Sequence, residues 1–221
     1  MKLTKSLFVS AVLFLSATGA QAAGFVQNGN YLTVQLKQHQ NYGPSQIRLQ
    51  VVSDRIIRVQ ATAEQSFRNK QSLIIVPQKG KANYKVEEQG DDLIITTAAM
   101  RAVLNEATGQ ITFYDLKDQV LLKEVAQGGK TFKPFTVPDR EIGVDIAKVP
   151  EAQKHGWSWR ALFDSPDNEA FYGLGQHQSE ELNMKGKNED LFQYNTKVSV
   201  PFVISNKNYG ILWDSYSYSR W

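Results

Sequence analysis

The stretch QIRLQVVSDRIIRVQA, residues 46–61, indicates the fold of this chain. Apolar side chains alternate with polar ones on both sides of the turn residues Ser53-Asp54. The alternating apolar residues are Ile47, Leu49, Val51, Ile57, Val59 and Ala61. A period of two places each set on one face of a β-strand, so the stretch predicts a β-hairpin with one buried face.

The same alternation recurs along the chain, whereas amphipathic helical periodicity is nearly absent. It predicts strands at residues 92–98, 110–115, 119–124, 198–205 and 208–214. Many short strands with turns every 8 to 12 residues or so favour an all-β fold, a large antiparallel sandwich without long helices. Proline cannot donate to a ladder, so Pro201 predicts an edge or bulged strand. Residues 124–156, rich in Gly and Pro, predict irregular loop and short strands.

The first residues have the pattern of a secretory signal peptide. Lys2 and Lys5 precede an apolar run from Leu7 to Leu15, and the small residues of Ala20-Gln21-Ala22 form a cleavage site. We therefore expect residues 1–22 to be removed and residues 23–221 to form one exported domain, periplasmic or secreted. No later stretch is long and apolar enough to predict a transmembrane segment.

Composition excludes several classes of function. The chain has 25 Lys and Arg, of which Lys2 and Lys5 lie in the leader, leaving 23 against 22 Asp and Glu. No basic cluster suggests nucleic acid, which requires grouped cations to displace counterions. There is no cysteine, so neither disulfides nor a lipid anchor on Cys is predicted. A neutral ligand fits this composition better.

The stretch FYGLGQHQ, residues 171–178, contains a Gly-x-Gly that is not a nucleotide site. A dinucleotide loop needs a third glycine three residues on and a helix after it, and here a polar run follows Gly175. The alternative is a strand that ends in a turn or bulge, at a point where a side chain would block the backbone. That alternative leaves the polar side chains of Gln176, His177 and Gln178 unexplained.

No catalytic or metal constellation is evident elsewhere. His39, His155 and His177 are far apart, and no Gly-x-Ser-x-Gly elbow is present. Neighbouring carboxylates in exposed turns do not give the facing pair that glycoside hydrolysis requires. The pair Trp157 and Trp159 points one way if it lies on a strand; it suits either a sugar-stacking platform or the core, and core packing is favoured.

The last third of the chain resembles the N-terminal domain of glycoside hydrolase family 31, especially its bacterial α-xylosidase branch. The matching motifs are Phe171–Gln176, Lys185-Gly186, Gln193 with Asn195-Thr196, Val200–Phe202 and Tyr209–Asp214. Residues 54–59, 72–76 and 108–115 also look familial. Two positions depart from the family pattern: Gln176 replaces the commoner Glu, and Ser215 replaces Asn.

This resemblance implies a galactose-mutarotase-like supersandwich that belongs to a retaining α-xylosidase or α-glucosidase. The family's two catalytic aspartates lie in a (β/α)8 barrel that this chain lacks, so we expect a fragment that is inactive alone and uses no cofactor or metal. Gly173 and Gly175 would fix a turn. The residues expected near an α-linked oligosaccharide, beside the missing barrel, are Gln176, His177, Asp190, Phe192, Gln193 and Asn195.

Two other classes of function stay open at this point. A β-sandwich with aromatic residues could be a free-standing carbohydrate-binding module. An exported structural or partner-binding domain would instead have no affinity for sugars.

Overall fold

The computed structural model describes residues 24–37, 41–68, 71–76, 82–136, 145–178 and 180–221. The predicted leader and His39 lie outside these ranges. Every strand pair in the described ranges is antiparallel, and the α-helix in them, Glu151–Lys154, has four residues. The all-β prediction is confirmed.

The first sheet contains the hairpin predicted from residues 46–61. Its strands, in spatial order, are β1 (Phe25–Asn28), β2 (Tyr31–Gln35), β3 (Gln46–Ser53) and β4 (Ile56–Thr62). Along β3 the buried positions alternate with half-buried ones, as the period of two requires. Ile47, Leu49 and Val51 are fully buried.

The second sheet is a five-stranded meander that covers the first. Its strands, in spatial order, are β5 (Tyr84–Gln89), β6 (Asp92–Thr97), β7 (Arg101–Asn105), β8 (Ile111–Tyr114) and β9 (Val120–Lys123). Leu93, Ile95, Leu104 and Ile111 from this sheet form one core cluster with the buried residues of β2 and β3. Each fully buried aliphatic side chain contributes about 1.5–3 kcal/mol, so this cluster is the main source of stability.

A two-stranded ribbon follows, which begins in the segment expected to contain irregular loop and short strands. It consists of β10 (Lys130–Thr136) and β11 (His155–Ala161), which pair over seven residues without a bulge. Ile146–Lys148 forms a short 3-10 helix before the four-residue helix α1 (Glu151–Lys154). Core packing was the favoured expectation for the two tryptophans of β11, and it is wrong: Trp157 and Trp159 are 42% and 48% exposed.

The remaining strands form a third sheet with a small neighbour. They are β12 (Phe171–Gln176), β13 (Asp190–Leu191), β14 (Val198–Ser205), β15 (Tyr209–Leu212) and β16 (Ser219–Arg220). β14 lies between β12 and β15, and β13 pairs with β16. The register of β14 against β12 shifts between Gly173 and Gly175, so Pro201 lies in a bulge of β14, the central strand of this sheet. The bulged alternative predicted for Pro201 is confirmed.

A second core and a polar contact hold the third sheet in place. Phe171, Leu174, Met184 and Val203 form the buried centre of this core. Trp221 packs edge-to-face on Phe171 and on Trp213, with ring centroids 5.3 Å apart in both pairs.

The polar contact joins the third sheet to the first. Asp214, just after β15, accepts a hydrogen bond from Arg58 of β4 at 2.6 Å and one from Ser72 at 2.8 Å. Tyr216 donates to the same carboxylate at 2.8 Å. Because three donors meet one half-buried carboxylate, the link is stronger than an exposed ion pair.

Candidate functional site

The Gly-x-Gly stretch is a bulge that requires glycine at positions 173 and 175. Gly173, Leu174 and Gly175 all have positive φ, at 127°, 67° and 101°. A Cβ atom on Gly173 would approach the Phe202 carbonyl oxygen to 2.6 Å, and one on Gly175 would overlap the Val198 carbonyl oxygen. The prediction of a bulge where a side chain would block the backbone is confirmed.

This bulge sets the direction of the chain that follows it. Leu174 is fully buried in the second core, so the kink is anchored between two glycines. Gln176 ends β12 with an exposed side chain, and the 185–195 loop begins nine residues later. The bulge therefore determines where the polar residues after it lie.

His177 lies under the loop and joins the bulge to it. Its side chain is 6% exposed. Nε2 donates to the Leu174 carbonyl oxygen at 2.7 Å. Nδ1 lies 2.9 Å from Oε1 of Glu189, in ion-pair range but outside hydrogen-bonding alignment. Lys197 donates to the same carboxylate oxygen, and this contact raises the pKa of the lysine. His177, which precedes the loop, and Lys197, which follows it, thus both contact Glu189.

A second set of contacts fixes the loop beside β16. The backbones of Glu189 and Trp221 exchange hydrogen bonds at 3.2 and 2.9 Å. Asp190 accepts from Arg220 at 2.7 Å and from Tyr218 at 2.7 Å. The Arg220 hydrogen bond, followed by that of Tyr218, holds the pKa of Asp190 below its usual value. Asp190 therefore stays ionised and engaged with the protein.

Residues 192–195 form the exposed tip of the loop, and Glu189 and Asp190 form its fixed base. Phe192 and Tyr194 are 56% and 55% exposed, with ring centroids 6.1 Å apart. Gln193 and Asn195 are exposed between and beside them. Thr196 has a positive φ of 71° and turns the chain. The backbone N–H of Lys197 therefore donates to the backbone carbonyl oxygen of Tyr194 at 3.1 Å. The tip thus presents two rings and two amides to solvent.

The structure divides the predicted site residues into two groups. Gln176, Phe192, Gln193 and Asn195 are exposed and free to meet a ligand, whereas His177 and Asp190 are engaged in holding the loop. Sequence reasoning did not single out Tyr194, although its spacing of two from Phe192 was a usable signal. The partners of Asp190 at β16 carry no motif of their own, and only the fold brings them to this loop.

The chemistry of the tip suits a neutral polyhydroxy ligand. Side-chain amides both donate and accept hydrogen bonds, as sugar hydroxyls require. Aromatic faces pack against the apolar faces of sugar rings. Within the described residues, no group of three or more His, Asp or Glu side chains is arranged to hold a metal ion. The arrangement therefore supports binding.

Comparison with known proteins establishes the family. The sequence model of the glycosyl hydrolase 31 N-terminal galactose mutarotase-like domain matches residues 46–221. The chain belongs to this family. The expected resemblance and the mutarotase-like fold are both confirmed.

Individual relatives agree with this assignment. The chain is 36% identical to the α-xylosidase of Xanthomonas citri, whose crystal structure superposes with a TM-score of 0.75 over 88% of this chain and 19% of that one. It is 26% identical to an uncharacterised family 31 glucosidase of Pseudescherichia vulneris, over 76% of this chain and 32% of that protein. It is 25% identical to the α-xylosidase of Saccharolobus solfataricus, over 79% and 23%. The family 31 domain thus spans a third or less of each relative.

None of the helices in the described residues is long and apolar enough to cross a bilayer.

Proposed function

We propose that this chain is the accessory N-terminal domain of an exported retaining α-glycosidase, of the α-xylosidase type. Its role is to place the tip of the 185–195 loop at the entrance of the substrate site. The observation that carries the proposal is the contrast within the loop: the base is locked by Glu189 and Asp190, while the rings and amides between Phe192 and Asn195 are exposed. A preorganised tip binds without a large ordering cost.

An exposed apolar face supports a role beside another domain. It lies on the third sheet, where alternate residues of β14 are exposed and Tyr172 and Leu212 stand on the flanking strands. The residues of β14 are Val198, Val200, Phe202 and Ile204. A contiguous apolar face of this kind normally packs against a neighbouring protein surface. We propose that the catalytic domain covers it.

The substrate of this site is a neutral oligosaccharide that carries α-linked xylose or glucose. Contacts from the tip would meet the sugar beyond the scissile bond, because the domain supplies binding groups and the barrel supplies the two aspartates. The α-xylosidase names of two relatives support xylose. Residues 192–195 carry no charged side chain, which suits a neutral ligand.

A chimeric enzyme tests this role. Residues 23–221 replace the matching domain of the Xanthomonas citri α-xylosidase, and Gln193→Ala and Asn195→Ala are then introduced. Each variant should raise KM for a xylosylated oligosaccharide by about 5- to 30-fold, the loss of one hydrogen bond worth about 1–2 kcal/mol. Aryl α-xylosides, which lack the extended sugar, should be affected less. Gln89→Ala, an exposed amide on the second sheet, is the matched control.

Two results would contradict the proposal. An equal loss on both substrates, together with a lower melting temperature, would make Asn195 a structural residue. Hydrolysis of aryl α-xylosides or α-glucosides by the chain alone, abolished by a mutation within it, would place catalytic groups in this domain.

Export is tested separately. The pattern of residues 1–22 predicts cleavage after Ala22. Mass spectrometry of the protein from the periplasm or the medium should therefore find an N-terminus at Ala23. Recovery of the uncleaved chain in the cytoplasm would refute this part.

A further inference from the structure

The β10–β11 ribbon carries an aromatic face that the proposed function does not use. In its register Phe132 is opposite Trp159, Pro134 is opposite Trp157, and Thr136 is opposite His155. Directly opposed residues share a face of an antiparallel pair, and side chains two apart on a strand point the same way. His155, Trp157 and Trp159 therefore form a row along one face, backed by Phe132 and Pro134.

The two indoles of this row are exposed, unlike the other two tryptophans of the chain. Trp157 and Trp159 are each more than 40% exposed, whereas Trp213 and Trp221 pack in the second core. Tryptophan is highly buried on average, and an exposed pair on one face costs solvation without contributing to the core. Exposed aromatic patches of this kind mark binding surfaces.

Polar groups lie beside Trp157 and at one end of the aromatic row. The indole Nε1 of Trp157 donates to Oε1 of Glu64 at 3.4 Å, and Arg68 pairs with the same oxygen at 2.6 Å. At the end of the row, His155 contacts the hydroxyl of Thr136 at 3.1 Å and Glu151 at 3.0 Å. Carboxylate, guanidinium, hydroxyl and imidazole groups thus lie within the half of the row that runs from His155 to Trp157.

This composition distinguishes the ribbon from the apolar face of the third sheet. There the exposed side chains of β14 are Val, Phe and Ile, which match another apolar protein surface. On the ribbon, flat rings lie within reach of hydrogen-bonding groups, as at sites for ligands that have both an apolar face and a rim of hydroxyls. Sugar rings have that combination.

We propose that Trp157 and Trp159 form a carbohydrate-binding platform, distinct from the 185–195 loop, which holds part of an oligosaccharide or polysaccharide by stacking on the two indoles. Glu64 orients the Trp157 ring through its indole N–H, and the polar groups beside Trp157 and around His155 meet the sugar hydroxyls. The choice of a glycan as the ligand rests on the proposed glycosidase role; the site itself rests on the ribbon.

The test measures binding by the chain itself, residues 23–221. Titrations with isomaltotriose, dextran and a xyloglucan oligosaccharide are followed by calorimetry and by tryptophan fluorescence. Trp157→Ala and Trp159→Ala should each weaken binding of at least one of these probes about tenfold, and the double variant should abolish it. Phe135→Ala, 46% exposed on the opposite face of the same ribbon, is the matched control and should bind as the wild type does.

Several outcomes overturn the platform. They are the absence of binding to all three probes at about 10 mM, an equal loss in Phe135→Ala, and self-association that both tryptophan variants remove. Since the replaced rings are exposed, their melting temperatures should change little, which separates lost contacts from lost folding. Gln193→Ala in the same titrations separates the two sites. Binding that depends on Gln193 but not on Trp157 refutes the platform and leaves the loop proposal intact. Binding that depends on Trp157 but not on Gln193 supports the platform, and the loop proposal is then decided by the chimeric enzyme.

Discussion

Replacing Gly175 by alanine is the most direct test of the bulge that precedes the 185–195 loop. At φ of 101° the backbone of Gly175 lies where side-chain-bearing residues are rarely found. The new Cβ would also overlap the Val198 carbonyl oxygen and lie 2.8 Å from the Val200 nitrogen. Both obstacles are backbone atoms of β14, which cannot move aside without breaking its pairing with β12.

The expected cost follows from comparison with Gly90. That residue also has positive φ, 63°, but a Cβ there would meet nothing within 4 Å. Gly90→Ala should therefore cost only the conformational strain, about 1–2 kcal/mol. Gly175→Ala adds the steric overlap and the displacement of Leu174 from the second core, for a total of about 4 kcal/mol or more. For a chain of this size, 1 kcal/mol corresponds to about 2–4 °C in melting temperature.

Thermal unfolding followed by circular dichroism distinguishes the two variants. Gly90→Ala should melt a few degrees below the wild type, and Gly175→Ala about 8–16 °C below it or not fold at all. The Leu174→Ala variant, which removes the anchor but keeps the backbone, should fall between them. If Gly175→Ala melted within about 2 °C of Gly90→Ala, the close approach of β14 would not exist and the account of the bulge would be wrong.

Three further predictions concern polar contacts. Asp214→Ala removes the link between the first and third sheets, and chemical denaturation should show a loss of about 2 kcal/mol. Burial lowers the pKa of Lys130 and raises that of its partner Glu124. Lys130→Met should therefore destabilise the chain by about 3–5 kcal/mol, since it leaves Glu124 buried without its partner. The double variant, Lys130→Met with Glu124→Leu, should recover most of this lost stability. The pKa of Asp190 is lowered from 3.8, so its pairing with Arg220 stabilises the loop above that pH and is lost as the pH falls through the lower folded value. In NMR titrations, Arg220→Ala should move this pKa back toward 3.8.

Local patterns predicted the strands well, because alternation directly reports a half-buried sheet. Residues 46–61 formed the expected hairpin, and the proline at 201 was correctly expected in an edge or bulged strand. The glycines of FYGLGQHQ were also informative, since few backbone positions require two of them so close together. Each of these signals is local, and each concerns the backbone or one buried face.

The missed features depend on contacts between distant residues. The sequence predicted irregular loop and short strands in the ribbon segment, but it did not reveal their pairing, because β10 meets β11 across a long intervening segment. Whether Trp157 and Trp159 are buried or exposed could not be deduced from their spacing, because the same alternation suits a core face and an exposed face. Arg220 meets Asp190 only after β13 and β16 pair, so no short motif could have revealed it.

The family motifs separate, in this structure, into residues that hold the backbone and residues that face solvent. Gly173, Gly175 and Asp214 are explained by close approach and by the link between sheets, so they need no ligand. Gln193 and Asn195 belong to the same motif block, yet they are exposed at the tip of a loop whose base is fixed by other side chains. Folding alone gives no reason for two amides at that place, whereas a hydroxyl-bearing ligand does. The proposed binding role therefore falls on the exposed members of the motif block, whereas the buried ones hold the backbone.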